Sequence, residues 1–332
     1  MDENTAKVVV IGGGTGSFTL LSELKNHTKN ITAIVNMADD GGSTGVLRDE
    51  LGVLPPGDVR QCLVALSESE KLRDLFNYRF DAGTFGGHSF GNILLTALEK
   101  TTGNFSDAVE TASEILRIEG KVVPATLDNV RLQMRWEDVK LTLHGERVID
   151  ADYFVNDPRK ATLSLTPTAT VNPAVIKAIA TADLIAISPG DLYTSLGPLL
   201  VIDGVGEALA NTKAKVVYVS NLVTKHGQTD GFTVADHAAE IERFAGRQVL
   251  DYVLYNTAHP SDDLAEKYEA EKAFIVEAGD VNAAHFKVIA GNYLGTLAEA
   301  EKSDKLPVTR SLIRHDAVAV AKELMRICCE KR

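Results

Sequence analysis

The sequence predicts an α/β fold with a mainly parallel sheet, because short apolar segments alternate with amphipathic segments along most of the chain. The apolar segments carry valine, isoleucine and leucine at consecutive positions, which is typical of strands that are buried on both faces. Amphipathic segments between them would form helices that cover the two faces of the sheet. The predicted strands are residues 7–12, 31–36, 183–188, 215–220 and 250–256.

The helices are predicted from apolar residues that recur at helical spacing. The last helix shows this pattern most clearly, through Val320, Leu324 and Ile327. The predicted helices are residues 17–27, 58–68, 91–100, 106–118, 172–181, 197–210, 233–245, 261–271 and 315–330.

The middle of the chain has a different pattern. Apolar and polar residues alternate between Val130 and Val148, with breaks at Glu137 and Gly145, which predicts an antiparallel hairpin or meander. We therefore expect one α/β domain over residues 1–332, with a small antiparallel β insertion at about 119–168.

The composition narrows the classes of function. The 332 residues carry a net charge of −12, so the chain has no basic surplus with which to neutralise a nucleic acid. Asp2 and Glu3 occupy the place of a basic signal-peptide segment, and no apolar run is long enough for a membrane span. Three cysteines give neither a disulfide framework nor a zinc spacing. These features predict a cytoplasmic protein.

Glycines follow the first predicted strand and precede the first helix. A strand, a tight turn and a helix N-terminus in this order are a common site for phosphate, since backbone N–H groups and the helix dipole favour an anion. Ser17 stands where a dinucleotide-binding pattern has its third glycine, and Asn36 stands where that pattern has an acid, so the prediction for NAD is weak. The alternative is a tight turn without a ligand. The predicted ligand contacts are Gly12, Gly13, Gly14, Thr15 and Gly16.

The loop after the second strand combines carboxylates, glycines and hydroxyls. Asp39 and Asp40 could ligate Mg²⁺ together with phosphate oxygens, hold a ribose or sugar hydroxyl, or act as a general base. An Asp-Gly turn with solvated carboxylates is the alternative. Asn36 and Ser43 belong to the same loop and are predicted ligand contacts.

Two further segments enter helices. Asp58 follows two prolines, and it either caps the next helix or acts on a ligand, while Arg60 could donate to a phosphate. In the glycine-rich segment 83–92, Ser89 is a candidate helix cap and Asn92 a candidate ligand contact, and His88 ranks below them.

Polar loops also follow the strands at 183–188 and 215–220. Thr194 and Ser195 are candidate helix N-caps and phosphate contacts. Because polar or glycine-rich loops recur at the same edge of the sheet, we expect them to line a single crevice. The predicted contacts here are Ser188, Gly190, Asp191, Thr194, Ser195, Asn221, Gly227 and Thr229.

Six ordered motifs resemble the bacterial gluconeogenesis-factor family, a branch of the CofD-like superfamily that contains 2-phospho-L-lactate transferase. The resemblance covers nearly the whole chain, and it implies a Rossmann-like three-layer α/β/α fold that is often dimeric. The motifs are GGGTG (12–16), NMADDGGSTGVLR (36–48), LPPGDVRQCLVAL (54–66), GHSFGN (87–92), SPGDLYTSLGP (188–198) and SNLVTKHGQTDGF (220–232).

The resemblance implies two functions. The gluconeogenesis-factor branch is associated with binding UDP-N-acetylglucosamine, and with carbon use, cell-wall synthesis and cell shape. The transferase branch joins a phospholactyl group from a nucleotide-activated donor to a deazaflavin precursor, and its aspartate in the region of Asp58 contacts that precursor. In the transferase the loop that matches residues 86–92 carries arginines, and this chain has none there.

We therefore expect a nucleotide-sugar-binding regulator, with a phospho-group transferase as the alternative. Gly13 to Gly16 and the 188–195 loop would hold the diphosphate, Asn36, Asp39 and Asp40 would contact hydroxyls, and residues 221–229 would close the cleft. GDP, NAD and Mg²⁺ remain open as ligands, and a protein partner is expected for the regulatory output. Thr309 and Ser311 are candidates for modification, or residues 314–316 simply begin the last helix, which we prefer.

Overall fold

The structure, a computed structural model, describes residues 3–282, 284–295 and 313–330. It contains a seven-stranded sheet in which every neighbouring pair is parallel, and a separate three-stranded antiparallel sheet. The strands are β1 Val8–Gly12, β2 Ile31–Val35, β3 Lys121–Pro124, β4 Arg131–Trp136, β5 Leu141–His144, β6 Thr162–Thr166, β7 Leu184–Ile187, β8 Lys215–Val219, β9 Tyr252–Asn256 and β10 Lys287–Gly291.

The main sheet has the order β10-β9-β8-β7-β1-β2-β3. From β1 the chain builds outward through β2 to β3, then returns to the other side of β1 and builds outward again from β7. Val8 therefore lies opposite Ile31 on one side and Leu184 on the other. This reversal between β1 and β7 is a topological switch point, where open α/β sheets leave a crevice at the carboxyl ends of the strands.

Helices cover both faces of the sheet, so the predicted three-layer α/β/α architecture is confirmed. Side chains of β1 alternate between two cores. Val8 and Val10 pack with the helices Gly14–Leu24, Gly57–Leu66 and Ala317–Cys329, whereas Val9 and Ile11 pack with the helices between Pro173 and Ala245. The helices are α1 Gly14–Leu24, α2 Gly42–Leu51, α3 Gly57–Leu66, α4 Glu70–Asn77, α5 Phe90–Thr102, α6 Phe105–Leu116, α7 Glu146–Ala151, α8 Pro173–Thr181, α9 Gly197–Leu200, α10 Val205–Asn211, α11 Val234–Ala245, α12 Asp262–Ala270 and α13 Ala317–Cys329.

The antiparallel sheet, with order β5-β4-β6, packs onto one face of the main sheet. Leu132, Met134 and Trp136 alternate along β4 and are buried in the same core as Ile11. The hairpin predicted at 130–148 is confirmed. The predicted insertion at about 119–168 begins too early, because β3 pairs with β2 as the edge strand of the main sheet.

The predicted helix at 197–210 is wrong as a single element. A π-helical turn, Leu192–Leu196, runs directly into α9. A turn over residues 201–204 then separates α9 from α10, and its last residue, Gly204, has a φ of 91°, which suits a residue without a side chain. The other predicted helices are found within three residues of their expected ends.

The last helix begins close to where the sequence predicted, directly after residues 314–316. Asp316 caps α13 by accepting a hydrogen bond from the Ala319 N–H at 3.0 Å. Thr309 and Ser311 lie outside the described residues. Within the described ranges, no helix combines the length and the apolar character that crossing a membrane requires.

Candidate functional site

The glycine turn after β1 forms the N-terminus of a helix. Helix α1 begins at Gly14, three residues earlier than predicted, with Gly13 as an extended N-cap. The Gly14 N–H donates to Asp58 Oδ1 at 3.0 Å. The N–H groups of Thr15 and Gly16 lie in the first turn, where a helix offers them no internal partner. This end of α1 therefore presents donors and the positive end of the helix dipole at the switch point.

The loops after β1 and β7 meet closely across the switch point. Ser17 Oγ and Ser188 Oγ are 2.8 Å apart in a buried hydrogen bond. A Cβ at Gly12 would lie 2.0 Å from Ser188 Oγ, and a Cβ at Gly16 would lie 1.9 Å from the carbonyl oxygen of Pro189. Loop packing therefore requires these two glycines, whatever ligand the crevice takes.

Asp58 does not cap its own helix. Pro56 is the N-cap of α3, and the Asp58 carboxylate reaches instead to the N-terminus of α1. A Cβ at Gly13 would come within 2.1 Å of Asp58 Oδ2, so the absence of a side chain at residue 13 makes room for this carboxyl. Burial, and then the charge of Asp39, raise the pKa of Asp58 to about 7.

Asp39 and Asp40 have separate partners. Asp39 Oδ1 accepts from the Gly41 N–H at 2.9 Å, and burial raises its pKa. Asp40 accepts from Arg131 Nη1 at 3.1 Å and from the Arg147 N–H at 2.7 Å, so its carboxylate is bound to the insertion. In the part of the chain that the structure describes, no three acidic, histidine or cysteine side chains are arranged to hold a metal ion. The two aspartates do not by themselves form a magnesium cage.

Glu146 adds a carboxyl that the sequence analysis did not find. It opens α7 in the insertion, and its Oε2 would lie 3.5 Å from a Cβ at Gly41. Burial raises its pKa to about 9, and the charges of Asp39 and Asp150 add to that effect. Asp39, Asp58 and Glu146 therefore form an acidic group whose members bind protons more tightly than isolated carboxylates do.

Ser43, Arg60 and Asn92 form one polar network beside the crevice. Asn92 Nδ2 donates to Ser43 Oγ at 3.2 Å, and Arg60 Nε donates to Asn92 Oδ1 at 3.0 Å. Ser43 Oγ also lies 2.9 Å from His88 Nδ1. Arg60 is buried and donates further to Asn77, so its guanidinium is engaged within the protein. Ser89 caps α5 as predicted, by accepting from the Asn92 N–H at 3.3 Å.

The prediction that Thr194 and Ser195 are N-caps is wrong. Both lie inside the π-helical turn, whose N-cap is Asp191. Thr194 is buried, and its carbonyl oxygen accepts from Asn36 Nδ2 at 3.3 Å, which joins the loops after β2 and β7. Ser195 remains partly exposed.

Asn221 joins the loops after β7 and β8. Its Nδ2 donates to the Gly190 carbonyl oxygen at 2.9 Å, and its Oδ1 accepts from the Gly190 N–H at 3.4 Å. Both polar groups of the Gly190 backbone are thereby satisfied by one side chain. The Tyr218 hydroxyl donates to the same Oδ1 at 3.3 Å and fixes the amide.

The rest of the β8 loop binds the insertion. The Gly227 carbonyl accepts from the Phe154 N–H at 2.7 Å, and Thr229 Oγ1 accepts from the Lys225 N–H at 2.8 Å. The Lys225 ammonium donates to Asp150 on α7 and to Asp191 Oδ2, the latter at 3.0 Å. Sequence reasoning missed Asp150, and it placed Lys225 in the predicted 221–229 loop without assigning it a contact, because isolated charged residues look like ordinary surface.

The structure thus brings together the predicted residues from the β1, β2, β7 and β8 loops. A helix N-terminus with donors for an anion lies beside carboxyls that suit hydroxyl groups, and an ammonium lies at the far side. Acids that retain protons near neutral pH can both accept and donate hydrogen bonds.

Residues 8–294 match the protein family described as 2-phospho-L-lactate transferase CofD. The chain belongs to the CofD family. Within it, the chain is 39% identical over 327 residues to the gluconeogenesis factor of Bacillus subtilis, covering 98% of each chain. It is 36% identical to the gluconeogenesis factor of Listeria innocua, covering 99% of this chain and 98% of that one.

A solved structure of a related protein has the same fold. It is a member of the UPF0052 family from Bacillus halodurans, with a TM-score of 0.85 at 36% identity over 96% of this chain and 99% of that one. The resemblance to gluconeogenesis factors that six motifs carry is therefore confirmed, together with the α/β fold.

Proposed function

We propose that this CofD-family chain binds a nucleotide sugar of the UDP-N-acetylglucosamine type in the crevice between β1 and β7. The observation that carries the proposal is the N-terminus of α1 at the switch point, because such sites hold phosphate groups in open α/β sheets. The similarity to gluconeogenesis factors along nearly the whole chain also supports the proposal, because that branch of the family is the one associated with nucleotide-sugar binding.

Each part of the ligand has a matching group in the crevice. The N–H groups of Thr15 and Gly16 suit the diphosphate, which would lie between α1 and the 188–195 loop. Asp39 and Asp58 suit hydroxyls of the ribose or the sugar, because a carboxylate accepts from a hydroxyl and a protonated carboxyl donates to an oxygen. Asn36 lies at the same edge, between these carboxyls and the β7 loop.

We further propose that the liganded protein is a cytoplasmic regulator of cell-wall synthesis, cell shape and carbon metabolism. A dimer, and a protein partner that senses the occupied crevice, belong to this proposal. Ligand binding would change the conformation of the loops that meet at the crevice, and the partner would recognise that change.

Calorimetry and thermal unfolding with UDP-N-acetylglucosamine, UDP, GDP and NAD, each with and without Mg²⁺, test the proposal. Selective binding of the intact UDP-sugar, without product on long incubation, supports a binding protein. A ligand at 100 times its Kd stabilises the fold by about 2.7 kcal/mol, which a melting experiment resolves. The absence of any shift at such concentrations would refute nucleotide-sugar binding. Mg²⁺ is varied because it can arrive with the phosphates of the nucleotide.

A second candidate function is transfer of a phosphorylated group from a nucleotide diphosphate donor. The observation that favours it is the position of the Asp58 carboxyl at the glycine turn, together with its raised pKa of about 7, which suits proton transfer at neutral pH. Asp58→Asn keeps the shape and the hydrogen bond from Gly14. We expect this variant to lose turnover and keep nucleotide binding, and unchanged turnover would remove Asp58 from the reaction. A preference for GDP that depends on Mg²⁺ would favour this function.

A further inference from the structure

The crevice is acidic, and a diphosphate ligand needs a cation within reach. Three arginines in this region already form hydrogen bonds or ion pairs with other residues of the protein. Arg48 donates to Asn129 and the Val130 carbonyl, Arg60 donates to Asn77 and Asn92, and Arg131 pairs with Asp40 and Asp49. Each of these three guanidinium groups is therefore already bound by groups of the protein.

Lys225 differs from these arginines in position and in partners. Its ammonium lies between Asp150 on α7 and Asp191 of the β7 loop, and only 9% of its side chain is exposed. The two carboxylates that it pairs with are more open, with exposed fractions of 34% and 39%. Carboxylates this exposed can be solvated by water, so the departure of the ammonium would not leave them as buried unpaired charges.

The backbone of Lys225 is held in place independently of this ion pair. Its N–H donates to Thr229 Oγ1 at 2.8 Å, and its carbonyl oxygen accepts from the N–H groups of Gln228 and Thr229 at 3.0 and 2.9 Å. The ammonium can therefore change partners while the loop keeps its shape. Because the backbone of Lys225 is already ordered, a ligand that takes up the ammonium would not have to order the loop, and this lowers the entropy cost of binding.

A short series of contacts joins this ammonium to the glycine turn. Gly16 packs directly against Pro189, and Asn221 fixes the backbone of Gly190, which leads to Asp191. Asp191 Oδ2 is 3.0 Å from Lys225 Nζ. Lys225 thus lies on the β7 side of the switch point, across from the N–H groups of α1.

We infer that Lys225 is the ammonium that contacts the diphosphate of the ligand, and that it leaves Asp150 and Asp191 to do so. The inference rests on the proposed function and assigns a specificity-determining residue to it. The ligand's phosphate oxygens replace two carboxylates as acceptors, so the number of charge-assisted hydrogen bonds is kept. Release of Asp150 also loosens the contact between α7 and the β8 loop, which makes the insertion the element that responds to the ligand.

The affinities of Lys225 and Asp150 variants for UDP-N-acetylglucosamine, measured by calorimetry, test this inference. Lys225→Met removes the ammonium and should weaken binding by roughly 10- to 100-fold, the range for loss of a hydrogen bond to a charged group, and Lys225→Arg should recover part of it. Asp150→Asn removes a competing carboxylate and should strengthen binding. Lys177→Met, on the exposed side of α8, is the matched control for loss of a lysine.

The Asp150 variant separates ligand contact from a structural role. If Lys225 only holds α7 in place, Asp150→Asn breaks the same contact and weakens binding as Lys225→Met does, which would overturn the inference. Unchanged binding by Lys225→Met, with a melting temperature equal to that of the control, would also overturn it while nucleotide-sugar binding stands. If the unmodified protein binds no nucleotide sugar, the proposed function fails and the inference fails with it.

Discussion

Asp58 is the residue at which burial and a helix N-terminus act in opposite directions. The hydrogen bond from the Gly14 N–H favours the charged carboxylate, while burial and the neighbouring Asp39 favour the neutral acid. The second pair of effects is larger, so the pKa rises from 3.8 to about 7. The folded chain then binds a proton here over a pH range in which the unfolded chain does not.

This difference predicts a pH dependence of stability. Between about pH 4 and 7 the folded state binds more protons at Asp58 than the unfolded state, so the free energy of unfolding falls as the pH rises, and the loss is complete above pH 7. In Asp58→Asn the side chain cannot titrate. Between pH 5 and 8 the free energy of unfolding of this variant should therefore fall by about 2 kcal/mol less than that of the unmodified protein. Urea unfolding at the two pH values measures this, with Asp203→Asn, exposed between α9 and α10, as the control. Parallel losses in all three proteins would contradict the prediction.

Gly16 and Gly190 lie on opposite sides of the switch point and should respond differently to the same change. A Cβ at Gly16 would meet the Pro189 backbone oxygen at 1.9 Å, whereas a Cβ at Gly190 would have its nearest neighbours at 3.5 Å, an ordinary contact. Gly16→Ala should therefore destabilise the protein by roughly 3 kcal/mol, and Gly190→Ala by much less. Chemical denaturation compares the two, and equal midpoints would show that the two loops can separate freely.

At the scale of elements, α7 spans the edge of the crevice and is held at both ends. Asp40 accepts from the Arg147 N–H near its start, and Gln228 Nε2 donates to the carbonyl oxygens of Ile149 and Asp150 near its end, at 2.9 and 3.0 Å. A six-residue helix of this kind depends on such contacts, because it is too short to be stable by itself.

Gln228→Ala removes the second of these supports. It removes one donor from each of two carbonyl oxygens, of which the Ile149 oxygen keeps a hydrogen bond of 3.4 Å from the Asp152 N–H. The change should cost about 1–3 kcal/mol and increase amide hydrogen exchange in residues 146–151. Hydrogen exchange read by mass spectrometry gives the local effect, and Gln248→Ala, at an exposed position after α11, is the matched control. Unchanged protection of α7 would mean that Lys225 and Asp40 suffice to hold it.

At the scale of the whole molecule, the antiparallel sheet shares a core with the main sheet. Leu132 is fully buried in the cluster that also contains Val9 and Ile11 of the central strand. Leu132→Ala should therefore destabilise the entire protein by about 2–5 kcal/mol and leave a single cooperative unfolding transition. Calorimetry that resolves two transitions, with only one of them shifted, would instead indicate a separate domain at the insertion.

The central strands could be predicted from the sequence, and the edge strands could not. β1, β2, β7, β8 and β9 are apolar runs buried by helices on both faces, which is the signal that periodicity detects. β3 has four residues and ends in a proline, and β10 is half-exposed at the other edge, so neither produces that signal. Helix α2 was missed because its first residues, Gly42 to Gly45, have the composition of a loop.

Some residues of the candidate site could likewise be predicted from the sequence, and others could not. Residues that directly follow a strand, such as Asn36 and Ser188, could be placed at the sheet edge because parallel strands end together. Glu146 and Asp150 could not, because their approach to the crevice depends on how the insertion docks. Lys225 belongs to the predicted 221–229 loop, but its contact with Asp150 also depends on that docking. Asp58 was identified as a candidate, but its contact across to α1 follows only from the packing of α3 against α1.

The switch point also joins distant parts of the chain, and this has a consequence for biosynthesis. β1 is completed by β7, and the Lys7 N–H bonds to Asp183, 176 residues later. During translation the first strand leaves the ribosome long before its partner exists, with an open apolar edge exposed to other chains. We expect the nascent N-terminal half to be a client of chaperones, and the capacity to hold a ligand to arise late, once β7 has been synthesised.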